Sequence, residues 1–188
     1  MHMRTLMIHE FHEEFKNVLL SDDLLTFDDG LYTQYLAKDL PQKKIFFIST
    51  NIICEGKQSH DVVPCHIAHA RAFAGDKSSY MTLSQISDLM DNNTIIGGHS
   101  HNHTNLNTLS SLVDKVNHIK EDTELMLEWF EKNLNYQPTH FCFPYNNDMG
   151  GLYKGLLKKY GFLHFYGDER IPIETLLHTE HHTGIPYI

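Results

Sequence analysis

The stretch that decides the fold is a short apolar run ended by two acids and a glycine: Leu24-Leu25-Thr26-Phe27-Asp28-Asp29-Gly30. A run of this length and composition predicts a buried strand. Successive strand side chains point to opposite faces, so adjacent acids can serve one site only where the strand ends and the backbone turns. Two buried carboxylates are costly unless they hold a cation or share a proton. The run is therefore either a solvated acidic turn or half of a functional site.

Strands and helices alternate on both sides of this run. Further apolar runs predict strands at residues 5–8, 45–50, 94–96, 141–143 and 162–166. The longest helical pattern covers about residues 110–135, where apolar side chains repeat at three-to-four spacing. This alternation predicts an α/β fold with parallel strands, and we expect a single domain over residues 1–188. Parallel α/β barrels build their active sites at the C-terminal ends of the strands, where the polar motifs of this chain fall.

A histidine-rich run follows the strand predicted at 94–96: Gly98-His99-Ser100-His101-Asn102-His103-Thr104-Asn105-Leu106. His99 and His103 are four residues apart, which on a helical turn places both imidazoles on one face. With Asp29 they form a set of two histidines and one carboxylate, which leaves coordination positions open for water and substrate. Asp28 then remains free to take a proton from the attacking water. The two motifs together predict a metal-dependent hydrolase.

The composition limits the partners of the chain. Fifteen basic and 24 acidic residues give a net charge of −9, which argues against nucleic acid or an anionic membrane surface. Fifteen histidines favour a metal or acid–base role. The cysteines are odd in number and lack metal-type spacing, and no secretory leader or membrane-spanning run is visible, so we expect no membrane span and a reduced, cytoplasmic setting. They are Cys54, Cys65 and Cys142.

Residues 51–80 are the least regular part of the sequence and are interpreted as an insertion or a lid. They contain Cys65-His66-Ile67-Ala68-His69, whose side chains are of the metal-ligand type. Two interpretations stay open here: a second metal site, or a short helix that carries ordinary histidines.

The motifs resemble those of the polysaccharide deacetylases, also called NodB-homology or carbohydrate esterase family 4 proteins. Residues 26–30 are similar to the first motif of that family at every position, residues 99–103 to its His-[Ser/Thr]-x-x-His motif, and residues 141–146 to its third motif. The resemblance runs from about residue 6 to residue 166. It implies an irregular (β/α)7-type barrel, which is a NodB-like deformed TIM barrel. It also implies hydrolysis of N- or O-linked acetyl groups on a sugar or polysaccharide.

The resemblance also implies roles for individual residues. Asp28 is the expected general base. A divalent ion, usually Zn²⁺ with Co²⁺, Ni²⁺ or Fe²⁺ as alternatives, is expected on Asp29, His99 and His103.

The third motif carries departures from the family pattern. Phe143, Pro144 and Tyr145 are expected to line the substrate groove, with the backbone N–H of Tyr145 helping to hold the oxyanion. Many members have an arginine that orients the catalytic aspartate where this chain has Cys142, and a glycine where it has Asn146. The usual fourth motif is not visible. The sequence therefore does not show how Asp28 is oriented.

The catalytic acid of the family is a histidine in a Leu-x-His motif on the last strand. One candidate is His178, in the polar setting of Leu176-Leu177-His178, and the other is His9, at the end of the apolar run Leu6-Met7-Ile8-His9. The first and last strands of a barrel are neighbours. A strand that stands at the beginning of the sequence instead of its end can therefore occupy the same place in the barrel and leave the site unchanged. A circularly permuted branch, similar to poly-N-acetylglucosamine deacetylases, has that arrangement. We favour His9, with His178 as the alternative acid.

Two other functions remain open at the level of sequence. A related metal amidohydrolase could use the same base and ion on a small non-sugar amide. An inactive member of the family could serve as a glycan-binding module. The missing arginine favours this last interpretation, and the intact acids and histidines oppose it.

Overall fold

The computed structural model describes residues 3–91 and 94–177, and its centre is one parallel sheet. The seven strands lie in the order β6-β5-β4-β3-β2-β1-β7, and every pairing between neighbours is parallel. They are β1 Thr5–Ile8, β2 Leu24–Phe27, β3 Lys43–Ile48, β4 Ile95–Gly98, β5 His140–Cys142, β6 His164–Tyr166 and β7 Ile171–Pro172. The predicted α/β class is confirmed.

Helices connect most of these strands. The α-helices are α1 Tyr32–Tyr35, α2 Cys65–Phe73, α3 Leu83–Asp91, α4 Leu112–Leu134, α5 Leu152–Leu157 and α6 Glu174–Leu177. Short 3₁₀ turns cover Glu13–Asn17, Leu106–Thr108, Pro144–Asn146 and Lys158–Tyr160. Among the described residues, no helix combines the length and the apolarity needed to cross a bilayer.

The sheet is curled, as the connection between its two edge strands requires. The chain passes from Tyr166 at the end of β6 to Ile171 at the start of β7 in five steps, which span at most about 18 Å. In a flat sheet of seven strands the edge strands would lie about 29 Å apart. The two edges must therefore approach each other, which confirms the predicted irregular barrel.

The core lies between the sheet and the long helix α4. Buried side chains of α4 and of the strands form one apolar cluster. The helix contributes Ile119, Met126 and Phe130, and the strands contribute Phe27, Phe46, Ile96 and Phe141. The helix passes so close to β4 that a Cβ on Gly98 would lie 2.7 Å from Met126 Sδ. This packing fixes the strand ends that carry the polar motifs.

Candidate active site

The Asp-Asp-Gly turn follows β2 directly, as predicted. Asp28 continues the β1–β2 pairing, since its N–H donates to the Ile8 carbonyl over 3.0 Å. The backbone then turns through left-handed conformations at Asp29 (φ 80°) and Gly30 (φ 91°), and the Gly30 carbonyl accepts from the Met81 N–H at 2.9 Å. Both carboxylates are 2% exposed and line the same cavity. The alternative of a solvated acidic turn is wrong.

The histidine motif follows β4, which is separated from β2 by β3 alone, and it forms a loop rather than the helical turn that the spacing suggested. Ser100 and His103 have left-handed backbone, with φ of 67° and 51°. Asp122 of α4 is buried beneath the loop and accepts from the N–H groups of His101 (2.6 Å) and Asn102 (2.9 Å). The loop thus brings His99 and His103 together by tertiary contacts, and no sequence pattern marks Asp122 for this role.

Three ligand-type atoms converge in this loop and turn. Asp29 Oδ1 lies 3.1 Å from His99 Nε2 and 3.0 Å from His103 Nε2, and the two Nε2 atoms are 3.2 Å apart. Ligands about 2.1 Å from an ion lie about 3.0 Å apart at right angles and about 3.4 Å apart at the tetrahedral angle. The triangle therefore has the size of one face of a coordination shell.

The protonation of His99 supports a cation at this position. His99 Nδ1 lies 2.8 Å from the Cys142 carbonyl, which can only accept, so Nδ1 carries a proton and donates. In the neutral imidazole Nε2 then presents a lone pair toward Asp29 Oδ1, a buried atom with no hydrogen-bond donor. Two acceptors that face each other at 3.1 Å need a positive charge between them, either a shared proton or a metal ion. Burial by itself lowers the pKa of His99, but its contact with Asp29 raises the pKa above the ordinary value, so this position attracts positive charge. These residues fit a divalent ion.

Asp29 is held in its anionic form. Burial by itself raises the pKa of this carboxyl, but the close approach of the imidazoles of His103, His69 and His99, with the charge of His103 as the largest contribution, outweighs burial. The pKa of Asp29 therefore lies well below its ordinary value of 3.8, as a metal ligand requires.

Arg170 answers the question left by the missing arginine of the third motif. This residue directly precedes β7, and its guanidinium binds both oxygens of Asp28, with Nη1–Oδ1 and Nη2–Oδ2 distances of 2.7 Å. Burial by itself raises the pKa of Asp28, but the charge and hydrogen bonds of Arg170 outweigh it and lower the pKa below 3.8. Asp28 is therefore a buried carboxylate, held by a two-point ion pair.

Several buried groups fix the guanidinium in turn. Arg170 donates to the Gly167 carbonyl (2.9 Å), the Thr26 hydroxyl (3.0 Å), Cys142 Sγ (3.0 Å) and Asn146 Oδ1 (3.0 Å). Cys142 occupies the place where the family arginine was expected, and burial raises the pKa of its thiol well above the ordinary value, so the thiol stays neutral. The guanidinium that holds Asp28 is thus supplied by the residue that precedes β7.

Two ligand-type groupings occur among the described residues, and only one fits an ion. The first is Asp29, His99 and His103, and the second is Asp28, His99 and Cys142. In the second, the guanidinium already occupies both oxygens of Asp28. Neither grouping includes Cys65 or His69, so a separate second metal site in the 51–80 segment has no support here.

A cavity of about 200 Å³ opens over the two carboxylates. Its walls include His9, Phe143 and Tyr145, whereas Pro144 is buried and does not line it. The Gln34 amide donates to the His9 carbonyl (2.6 Å) and to the Asp28 carbonyl, so it ties together the ends of β1 and β2.

His9, the favoured acid, thus lies at the cavity beside Asp28. His178, the alternative acid, lies outside the described residues.

The sequence and the fold were compared with known proteins. A family model described as polysaccharide deacetylase matches residues 23–162. No curated protein sequence matches the chain significantly.

Solved structures share the fold. The chain is similar to IcaB from Ammonifex degensii, with a TM-score of 0.63, 15% identity, and 93% of this chain and 88% of that chain covered. For the BpsB deacetylase domain from Bordetella bronchiseptica the TM-score is 0.63 at 12% identity, and 88% of each chain is covered. For the Streptococcus pyogenes deacetylase PplD in complex with acetate the TM-score is 0.54 at 15% identity, with 94% and 97% covered.

The family model covers well over half of the 188 residues, and it includes both the acidic turn and the histidine loop. The resemblance drawn from the motifs is confirmed. This chain belongs to the polysaccharide deacetylase family and is a carbohydrate deacetylase, a hydrolase that removes acetyl groups.

Proposed function

We propose that the chain removes acetyl groups from an acetylated sugar or polysaccharide with the help of a divalent ion, most simply Zn²⁺. The observation that carries this proposal is the separation of the two adjacent acids into different surroundings. Asp29 Oδ1 faces the Nε2 atoms of His99 and His103, whereas Asp28 faces a guanidinium. One acid is thereby suited to an ion and the other to proton transfer.

Asp29, His99 and His103 would hold the ion. When bound, such an ion supplies a Lewis acid that polarises the acetyl carbonyl and lowers the pKa of water. The set of two imidazoles and one carboxylate leaves positions open for water and for substrate.

Asp28 acts as the general base. Arg170 holds both of its oxygens, so the carboxylate is fixed in direction and stays ionised before the reaction begins. Because the pair is 2–3% exposed, bulk water competes little for the same hydrogen bonds.

His9 acts as the general acid that protonates the leaving amine or hydroxyl. It lines the same cavity as Asp28, at the end of the neighbouring strand, and its carbonyl is held by Gln34. Tyr145 lies at the rim with left-handed backbone (φ 56°) and a half-exposed side chain, suited to contact an incoming sugar. The backbone N–H of Tyr145 is proposed to stabilise the developing oxyanion.

The test is acetate release from N-acetylglucosamine oligomers and from an O-acetylated glycan. We expect turnover that a chelator abolishes and that Zn²⁺ restores. The variant Asp28→Asn should keep its metal, and its turnover should fall by at least about 10²-fold, which is the usual contribution of a general base to the rate. The exposed acid nearby, replaced in Asp22→Asn, is the matched control and should leave turnover unchanged.

Other outcomes would redirect the proposal. Full activity of Asp28→Asn would overturn the base assignment. Turnover confined to small non-sugar amides would indicate an amidohydrolase, and tight metal binding without turnover on any acetylated substrate would indicate a glycan-binding module.

A further inference from the structure

The irregular segment 51–80 reaches into the metal site through helix α2. His69 of this helix places its Nε2 atom 3.4 Å from Asp29 Oδ2, and its ring centroid lies 4.3 Å from that of His103. The His69 side chain is 14% exposed, and its Nε2 atom is buried without a well-formed hydrogen bond. A buried polar nitrogen aimed at a carboxylate oxygen indicates a function beyond packing.

The two oxygens of Asp29 face different partners. Oδ1 faces the nitrogens of His99 and His103, whereas Oδ2 faces His69. His69 stands outside the set of ligand atoms that lie within 4.8 Å of one another. Its position therefore suits a hydrogen-bond donor to the ligand better than a fourth ligand to the ion.

Helix α2 is anchored so that His69 is held in place. Ala68 and Ala72 are buried in a cluster that also contains Tyr80, and the rings of Tyr80 and His69 are nearly parallel, 5° apart in orientation. The first N–H of the helix, at Cys65, donates to the Glu10 carboxylate at 3.3 Å. The segment thus contributes a wall of the site.

We propose that His69 is a positioning residue of the metal centre, which donates its Nε2 proton to Asp29 Oδ2 and so directs Oδ1 to the ion. The inference rests on the proposed function, because it requires the ion on Asp29, His99 and His103. A carboxylate that accepts a hydrogen bond at one oxygen binds the ion through the other oxygen. A neutral His69 is sufficient to fix the orientation of the Asp29 carboxylate in this way. Loss of such a partner typically lowers metal affinity by about 10–100-fold.

The test measures Zn²⁺ affinity by competition with a chromophoric chelator in the full chain. We expect His69→Ala to weaken binding by about 10–100-fold. We expect His69→Gln, whose amide can donate in a similar place, to recover part of that loss. Ile67→Ala, an exposed position on the same helix, is the control and should bind Zn²⁺ normally.

Spectra of the Co²⁺-loaded protein separate a positioning residue from a ligand. We expect His69→Ala to keep the visible band intensity, because the number of ligands is unchanged. A change of intensity that reports a different coordination number would overturn the positioning role and make His69 a ligand.

A further comparison separates this inference from the proposed function. If Asp29→Asn loses the metal and His69→Ala binds it as tightly as the unaltered chain, only the inference fails. If Asp29→Asn also keeps full metal affinity, the metal site itself is wrong.

Discussion

Arg170 and Asp28 form a two-point ion pair between residues 142 positions apart in the sequence, with both N–O distances at 2.7 Å. The pair joins the residue before β7 to the residue after β2, across the interior of the curled sheet. It orients Asp28, the proposed general base, although the third motif of this chain has no arginine for that purpose. Three predictions concern this pair and the thiol beside it.

Replacement of Arg170 should impair the chemical step. In Arg170→Met the base loses its fixed direction, and we expect kcat to fall by about 10²-fold or more with little change in KM, because Arg170 does not line the cavity. The kcat of Arg170→Lys should lie between those of the unaltered chain and Arg170→Met, because lysine keeps the positive charge but cannot bind both oxygens of Asp28 in the same way. Steady-state kinetics on an acetylated oligomer measure both parameters, and an unchanged kcat in Arg170→Met would contradict the assignment.

The same variant should be less stable, because it leaves Asp28 charged and buried without its partner. We expect a loss of about 3–5 kcal/mol in the free energy of unfolding by urea. The double variant Asp28→Asn with Arg170→Met should regain much of this loss, which separates the buried charge from a packing defect.

The Cys142 thiol should matter far less than the guanidinium. It accepts from Arg170 at 3.0 Å and lies 3.4 Å from Asp28 Oδ2, but it is neutral and such contacts contribute about 0.5–1.5 kcal/mol. We expect Cys142→Ala to lower kcat by no more than about tenfold. Cys54→Ala, a buried cysteine that does not line the cavity, is the control and should have no effect on kcat. A loss as large as that of Arg170→Met would make the thiol itself essential.

His9→Ala should slow turnover and leave metal content unchanged. We expect a loss of about 10²–10⁴-fold on an N-acetyl substrate, whose amine must be protonated to leave. An aryl acetate with a good leaving group should lose much less, because it needs no acid. His12→Ala, which alters a histidine that packs on Phe15, is the control, and His178→Ala should have little effect. The reverse pattern between His9 and His178 would exchange their roles.

The Arg4–Asp23 pair predicts a pH dependence of stability. Burial by itself raises the pKa of Asp23, but the hydrogen bonds from Arg4 and the Leu20 N–H outweigh it, so the folded-state pKa lies below 3.8. Its stabilisation is complete above 3.8, declines as the pH falls toward the folded-state pKa, and is absent below it. The difference in unfolding free energy between the unaltered chain and Asp23→Asn should therefore shrink below about pH 4. Asp22→Asn, which changes an exposed acid, should show no such trend.

Gly97 should not tolerate a side chain. A Cβ there would lie 2.6 Å from the Phe47 ring and 2.9 Å from the His140 carbonyl, a backbone atom that cannot move aside. We expect Gly97→Ala to lower the free energy of unfolding by about 1–3 kcal/mol or more. Gly155→Ala in α5 is the contrast: apart from its chain neighbours and the backbone of its own helix, no atom lies within 4 Å of the added Cβ, so helix propensity should make the substitution stabilising by up to about 1 kcal/mol. Equal effects of the two substitutions would contradict the packing argument.

The sequence by itself predicted six of the seven strands, all except β7, and it singled out the polar strand ends with the four residues that are proposed to act there. Apolar runs of the right length predicted β2 and β4, and parallel strands place their C-terminal ends at one edge. This physical rule is enough to bring Asp28 and Asp29 toward His99 and His103. The rule requires only local patterns, which short segments of sequence carry.

Tertiary structure alone decided how these residues are oriented. The spacing of His99 and His103 suggested a helical turn, but the buried carboxylate of Asp122 on α4 shapes a loop instead. Arg170 belongs to no motif, and the run that contains His69 gives no sign that this side chain contacts Asp29. The two residues reach Asp28 and Asp29 only because the sheet curls and because Ala68 and Ala72 of α2 pack with Tyr80. Contacts between distant segments form only when the whole fold closes. The hydrophobic pattern of a short segment therefore does not predict them.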